Sequence, residues 1–378
     1  RLLTPTEALG GVAKGVDVYL FLIGMMLLAE VAREEGLFDW LAAHATRRAR
    51  GSASRLFILI YAVGTLVTIF LSNDATAVVL TPAVAAAVRT ARVSNPLPYL
   101  FICAFIANAA SFVLPISNPA NLVIYGSQMP PLTMWLPRYA LPSIVSIVVT
   151  FLALRWTQRR SLRETIATDV PMPNLSRSGK LAALGIILTG LALLAASSFD
   201  LQLGLPTAVA GALTAVAVLL SEQKAPWKLL KGISWDVLPL VGGLFVLVTA
   251  LDKSGVIAAI SHLLASVTSQ SAASAAWGSS VVVAVASNLM NNLPVGLIAG
   301  DVIASDHVSG NVTGAVLIGV DLGPNLSVTG SLATILWLTA LRREQQHVGA
   351  WSFLKLGFII MPPALILSIA VMVLSHSS

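Results

Sequence analysis

Along the chain, runs of almost unbroken apolar residues alternate with short basic stretches. A helix needs about 20 apolar residues to cross a bilayer, and eight segments approach or exceed that length: 17–32, 98–126, 133–154, 181–198, 205–221, 236–252, 311–341 and 351–374. Two further apolar segments, 54–89 and 272–305, are each two arms joined at a polar, Asn-rich tip with no loop residues between them. That pattern predicts helical hairpins that enter and leave on one face of the membrane; two full spans with a very tight turn are the other reading. After Ala32 the stretch EEGLFDWLAAHATRRAR sets Leu37, Trp40, Leu41 and Ala45 at helical spacing, which predicts an amphipathic helix in the interface. Gly255 to Val267 plays the same part later in the chain.

The hairpin tips are where polar residues break the apolar pattern. The first reads Ser72-Asn73-Asp74-Ala75-Thr76, and the second reads LMNNLPV over 289–295. Pairing Asn73 with Asn291 sets Asp74 opposite Asn292 across 218 residues (291 minus 73). Corresponding polar interruptions in two halves point to the site of a secondary transporter. Two spans carry interruptions of their own. Phe112 to Gly126 reads FVLPISNPANLVIYG, where Pro115 and Pro119 each remove a backbone donor and stop the helix. Its counterpart, VDLGPNLSVTGSLATIL over 320–336, is interrupted at Gly323, Pro324 and Gly330. Irregular backbone at membrane depth persists only when it is buried in protein or lines a watery cavity, so two tips and two breaks are expected to meet near the midplane.

Candidate site residues follow from that expectation. Asn73, Asn118, Asn121, Asn291, Asn292, Ser327, Thr329 and Ser331 are candidates for binding substrate, because they cluster at the breaks. The bland alternative is that such residues only join apposed helices, and that reading is preferred for Asn108, Ser111 and Asn288 on continuous helix. Asp74 and Asp321 are the candidates for proton coupling. A carboxylate at this depth costs several kcal/mol unless it is paired, hydrated or protonated. Asp321, beside Gly323 and Pro324, is expected to accept bonds from freed backbone N–H groups, which leaves Asp74 as the preferred coupling acid. Glu30 falls near a span end, where interfacial anchoring is expected. Asp301, Asp306 and His307 are placed at the outer mouth, in solvent. Cys103 is read as packing and therefore dispensable.

The basic residues orient the layout, since cytoplasmic loops carry the excess of Lys and Arg. Seven arginines from Arg33 to Arg92 flank the first hairpin, six basic residues from Arg155 to Lys180 fill a central linker, and Lys224, Lys228, Lys231, Arg342 and Arg343 follow, which is 18 of the 23 in the chain. Only Arg1, Lys14, Arg138 and Lys253 fall outside, with Lys355 near the start of the last span. The two hairpins then open to opposite faces, as in an inverted repeat. The expected organisation is a first repeat at 1–157, a cytoplasmic linker at 158–180, two connecting spans at 181–235 and a second repeat at 236–378. Because residue 1 is Arg and not Met, N-terminal helices before the first repeat are expected.

Composition narrows the class further. Hydrophobic residues make up 56% and charged residues 11% of the chain, against about 25% charged in an ordinary soluble domain, so the fold class is an all-α polytopic membrane protein. The net charge of +6 does not indicate nucleic acid, because the basic residues are spread between apolar segments. A single cysteine excludes a disulfide framework, and His44, His262, His347 and His376 form no pair with metal-ligand spacing. There is no P-loop, no H-E-x-x-H and no G-x-S-x-G. The chain is therefore read as a transporter, not an enzyme, and no cofactor is expected. Intramembrane hydrolysis is the rival class, and it leaves the repeat unexplained.

Three blocks, DVYLFLIGMMLLAEVAREEGLFDWLAAHATRRARG at 17–51, SNDATAVVLTPAV at 72–84 and IGVDLGPNLSVTGSLATILWL at 318–338, resemble the bacterial arsenite and antimonite efflux permeases of the ion transporter superfamily. The similarity runs over most of the chain and is weakest at 107–126. The resemblance implies export of neutral trihydroxylated As(III) or Sb(III) across the bacterial inner membrane, driven by protons, sometimes with a soluble ATPase as partner. It also implies a scaffold domain beside a mobile transport domain. The residues agree on one point: a trihydroxide suits amide and hydroxyl donors, and a thiolate site would need more than Cys103. The rivals within the transporter class are a sodium-coupled carboxylate carrier and a sodium/proton antiporter, and the membrane subunit of an ATP-driven pump is a rival of a different class. The scarcity of intramembrane cations argues against an anionic substrate.

Overall fold

A computed structural model describes residues 3–199, 201–306 and 309–375. The side chain of Asp306, and His307 and His376 entirely, lie outside the described part. Regular structure among the described residues is helical, apart from one isolated bridge between Ser52 and Thr165. The chain opens with α1 (Pro5–Lys14), α2 (Val16–Glu34) and the short α3 (Leu37–Arg48). The first hairpin runs up α4 (Ala53–Phe70), turns at α5 (Asn73–Ala75), widens into a π-turn at Thr76–Leu80 and returns along α6 (Thr81–Thr90). Next come α7 (Leu97–Ala109), a break, α8 (Pro119–Tyr125) and the long α9 (Leu132–Gln158). Two antiparallel connectors, α10 (Arg177–Ser198) and α11 (Gly204–Glu222), and a short α12 (Trp227–Gly232) lead to the second half.

That half repeats the order of the first. It consists of α13 (Val237–Lys253), α14 (Val256–Gln270), a hairpin of α15 (Ala272–Met290) and α16 (Asn292–Asp306), a broken span of α17 (Gly310–Leu322) and α18 (Leu332–Arg343), and the long α19 (Ala350–Ser375). Six helices among the described residues, α4, α9, α10, α11, α15 and α19, are long and apolar enough to cross a membrane, or up to eight if the bent pairs α1/α2 and α13/α14 each count as one span. Helix α14 turns 71° from α13, as expected of an element leaving the span direction. Helices α1 and α12 have no counterpart in the sequence reading, because each is too short to show a hydrophobic run.

The outside of the bundle is apolar. Leu188, Leu213 and Leu220 on the connectors are 54%, 65% and 73% exposed, a surface that lipid covers and water would not tolerate. The connectors hold α2 through a glycine crossing: a Cβ on Gly24 would lie 2.3 Å from the Thr207 carbonyl oxygen, and one on Gly211 2.5 Å from the Gly24 carbonyl oxygen. Such contacts let backbones approach where no hydrophobic effect drives association. The linker is pinned to the first half, since Ile166 N–H donates to Gly51 O (3.0 Å) and Ala167 N–H to Ala91 O (2.9 Å).

The two halves exchange arms at the centre. Helix α8 packs on α16 of the second hairpin, and α18 packs on α5, the π-turn and α6 of the first. Each broken span therefore seats its second arm against the other half's hairpin. Both tips are buried by this arrangement, with Asn73 3% and Asn292 4% exposed.

Candidate functional site

The break in the first half follows from proline spacing. In a continuous helix the Ser111 carbonyl would accept from residue 115 and the Pro115 carbonyl from residue 119, and both donors are prolines without N–H. The chain instead forms a 3-10 turn at Pro115–Ser117, and Asn118 restarts the helix by accepting from Ala120 N–H on its side chain (3.0 Å). Asn121, completely buried, turns its Nδ2 back to Ser111 O (2.9 Å), Pro115 O (3.3 Å) and Leu114 O (3.4 Å).

In the second half, Ser331 caps α18 by accepting from Thr334 N–H (3.1 Å). Asn288 takes the organising role there: its Nδ2 donates to Ala284 O (2.7 Å) and Gly323 O (2.9 Å), and its Oδ1 accepts from Ser327 (2.7 Å). Thr329 donates to the Asn288 carbonyl (2.9 Å). At the tip, Asn291 takes a positive φ of 78°, a region asparagine enters more readily than most residues, and its Oδ1 accepts from Leu293 N–H (3.3 Å). The Asn292 N–H then donates across to Gly330 O (2.9 Å), tying tip to break.

The breaks also bond to each other across the two halves. Asn108 Nδ2 donates to Asn325 Oδ1 (3.0 Å), and Asn325 Nδ2 donates to Phe105 O (3.0 Å). Asp321, fully buried, accepts from Ser111 Oγ (2.7 Å) and Asn118 Nδ2 (2.7 Å). Its carboxylate is thus held by side chains of the other half and not, as the sequence suggested, by freed backbone donors. The reason is that Asn118 and Ser111 face Asp321 directly where the breaks cross.

Four of the ten candidates wall one cavity: Asn73, Asp74, Asn118 and Asn292, with Pro119, Leu22, Val237, Val241, Leu293 and Leu332 completing it. Its volume is about 20 Å³, room for about one water. Asp74 is the only ionisable group in this wall, and its carboxylate has no hydrogen-bond or ion-pair partner among the described residues. The other six do not line it: Asp321 bonds Asn118, Asn121 holds the same break, Asn291 and Ser331 adjoin the lining residues Asn292 and Leu332, and Ser327 and the exposed Thr329 bond Asn288. Among the described residues no group of His, Cys, Asp and Glu could hold a metal ion.

Two further cavities flank this one along α2. On one side a space of about 70 Å³ is lined by Met25, Met26, Glu30, Ser72, Asp74 and Ser234 among others. On the other a polar vestibule of about 700 Å³ is lined by Lys14, Asp17, Gln128, Arg138 and Asp301 among others. Helix α2 contributes Val18, then Leu22, then Met25 to Glu30, and α13 contributes Val248, then Val241, then Val237, to the three spaces in turn. Glu30 departs from its expected place at the interface: it is buried, and Arg33 forks its carboxylate through Nε (2.8 Å) and Nη2 (2.5 Å).

Several of the matched relatives share one name. The chain is 28% identical over 384 residues to an arsenical pump membrane protein of Yersinia enterocolitica, covering 94% of this chain and 85% of that protein. It is 27% identical over 383 residues to the protein of the same name in Escherichia coli K12, with the same shares covered. An uncharacterised transporter of Mycobacterium tuberculosis is 24% identical, covering 91% of this chain and 82% of its own length. The fold is similar to that of the YdaH transporter of Alcanivorax borkumensis, whose crystal structure has an unusual topology: TM-score 0.63 at 17% identity, over 98% of this chain and 88% of that one. Like the relatives, this is a multi-pass protein of the bacterial inner membrane. The family model described as citrate transporter matches residues 1–320, and the chain accordingly belongs to the citrate transporter family.

Proposed function

We propose that this ion transporter exports arsenite and antimonite, as neutral trihydroxides, from the cytoplasm in exchange for protons. The observation that carries the reading is the wall of the central cavity, which has three side-chain amides, one unpartnered carboxylate and no Lys or Arg. A tricarboxylate or other anion brought there would lack a counter-charge and face Asp74. A neutral solute with several hydroxyls finds donors and acceptors in Asn73, Asn118 and Asn292, and Asp74 is free to load and release the proton. The names of the arsenical pump relatives support the substrate. The repeated element order and the exchange of arms support two inverted repeats, 1–157 and 236–378, joined through the linker 158–180 and the connecting spans 181–235.

The family description gives the second reading, a carboxylate carrier. Everted membrane vesicles separate the two. Arsenite uptake without ATP is expected to stop when the pH gradient and the membrane potential are both collapsed, and citrate is expected neither to enter nor to compete. Uptake that continues with both the pH gradient and the potential collapsed, or that requires ATP, contradicts proton exchange, and citrate accumulation favours the carboxylate carrier.

A further inference from the structure

Unwound backbone carbonyls at the broken helices of transporters are ready ligands for an alkali cation. In the first half of this chain the carbonyls of Ser111, Leu114 and Pro115 turn towards one point, and the point is occupied by the Nδ2 of Asn121, 2.9 to 3.4 Å from all three. Pro115 and Pro119 remove the two backbone donors that would have served Ser111 and Pro115, so the convergence is written into the sequence at 111, 115 and 119. The orientation of the amide is fixed by the same oxygens. Turned over, its Oδ1 would join three carbonyls with no hydrogen among four oxygens, an arrangement that only a cation makes stable. In the observed orientation Oδ1 is buried without a partner, so the side chain is held by what its nitrogen donates.

We infer that the Asn121 amide is a built-in, uncharged substitute for an alkali cation, and that it keeps the first break formed without sodium. Asn121 is a positioning residue: it does not wall the central cavity, but it sets the turn that carries Asn118 and Pro119 into it. Replacing the amide donor by a carboxylate turns the same point into a four-oxygen site of single negative charge, matched in hardness to Na+ or Li+. The inference rests on the breaks being part of the transport site, but it is read without substrate, so failure of the arsenite assignment would leave it standing.

The experiment is thermal unfolding of the purified full chain in detergent, in choline, potassium, sodium and lithium chloride at equal ionic strength. The unsubstituted protein is expected to unfold at one temperature in all four salts. Asn121→Asp is expected to unfold earlier in choline and to recover by several degrees in sodium or lithium. Asn121→Ser, which leaves one hydroxyl for three carbonyls, covers the case in which the carboxylate variant does not accumulate, and a smaller recovery in the same two salts is expected. A sodium-specific rise in the unsubstituted protein overturns the inference, because a cation site then already exists. So does the absence of any sodium or lithium response in the variant that is measured.

Discussion

Asp74 and Asp321 sit where the tips and breaks meet, and their neighbours give them different chemistry. Asp321 accepts from Ser111 and Asn118 across the crossing of the two breaks, so both oxygens are committed to holding the halves together. Asp74 faces the central cavity and the space beside Glu30 with no partner for its carboxylate among the described residues. An Asp321→Asn substitution sets an amide N–H2 against one of two existing donors, and a buried group left unpaired costs about 1–3 kcal/mol. This variant is expected to lower the unfolding temperature of the purified protein and to reduce uphill flux and arsenite exchange together. Thermal unfolding beside vesicle flux checks it, and normal stability with loss of uphill flux alone would move the coupling role to Asp321.

At the scale of elements, much was legible because the residues that make the breaks are the ones that cannot continue a helix. Pro115, Pro119, Gly323 and Pro324 locate both interruptions, and the Asn-rich tips at Asn73 and Asn291 locate both hairpins. The partners were not legible, because contact across the halves depends on which helix faces which. Asn108 and Asn288 lie on regular helix, and Ser111, expected on continuous helix, sits in the turn just beyond α7; nothing local distinguishes the three from residues that pack against any neighbour. The same limit applied to Glu30, whose burial depends on Gly232: a Cβ there would sit 1.6 Å from the Glu30 Oε1. Close backbone approach also sets the α2 crossing. Gly24→Leu is expected to lower the yield of folded protein strongly, because the nearest atoms are backbone and cannot move aside, while Gly243→Ala, with nothing within 4 Å of the new Cβ, is expected to be silent. Size-exclusion profiles of the two detergent-solubilised variants check the contrast.

Over the whole molecule, three spaces of about 700, 20 and 70 Å³ follow one another along α2 and α13. The central volume holds about one water, so a trihydroxide enters only if the tips and breaks separate. Because the halves exchange arms, the proposed mechanism would move both hairpins together with both broken spans, past α2 and α13. On the proposed mechanism, a proton on Asp74 would travel with that movement. The most direct measurement is arsenite flux in everted vesicles bearing Asp74→Asn, which keeps the side chain's size and removes its titration. Accumulation driven by a pH gradient is expected to be lost while arsenite-for-arsenite exchange persists in part; a variant that still concentrates arsenite in response to the gradient would contradict proton coupling through Asp74.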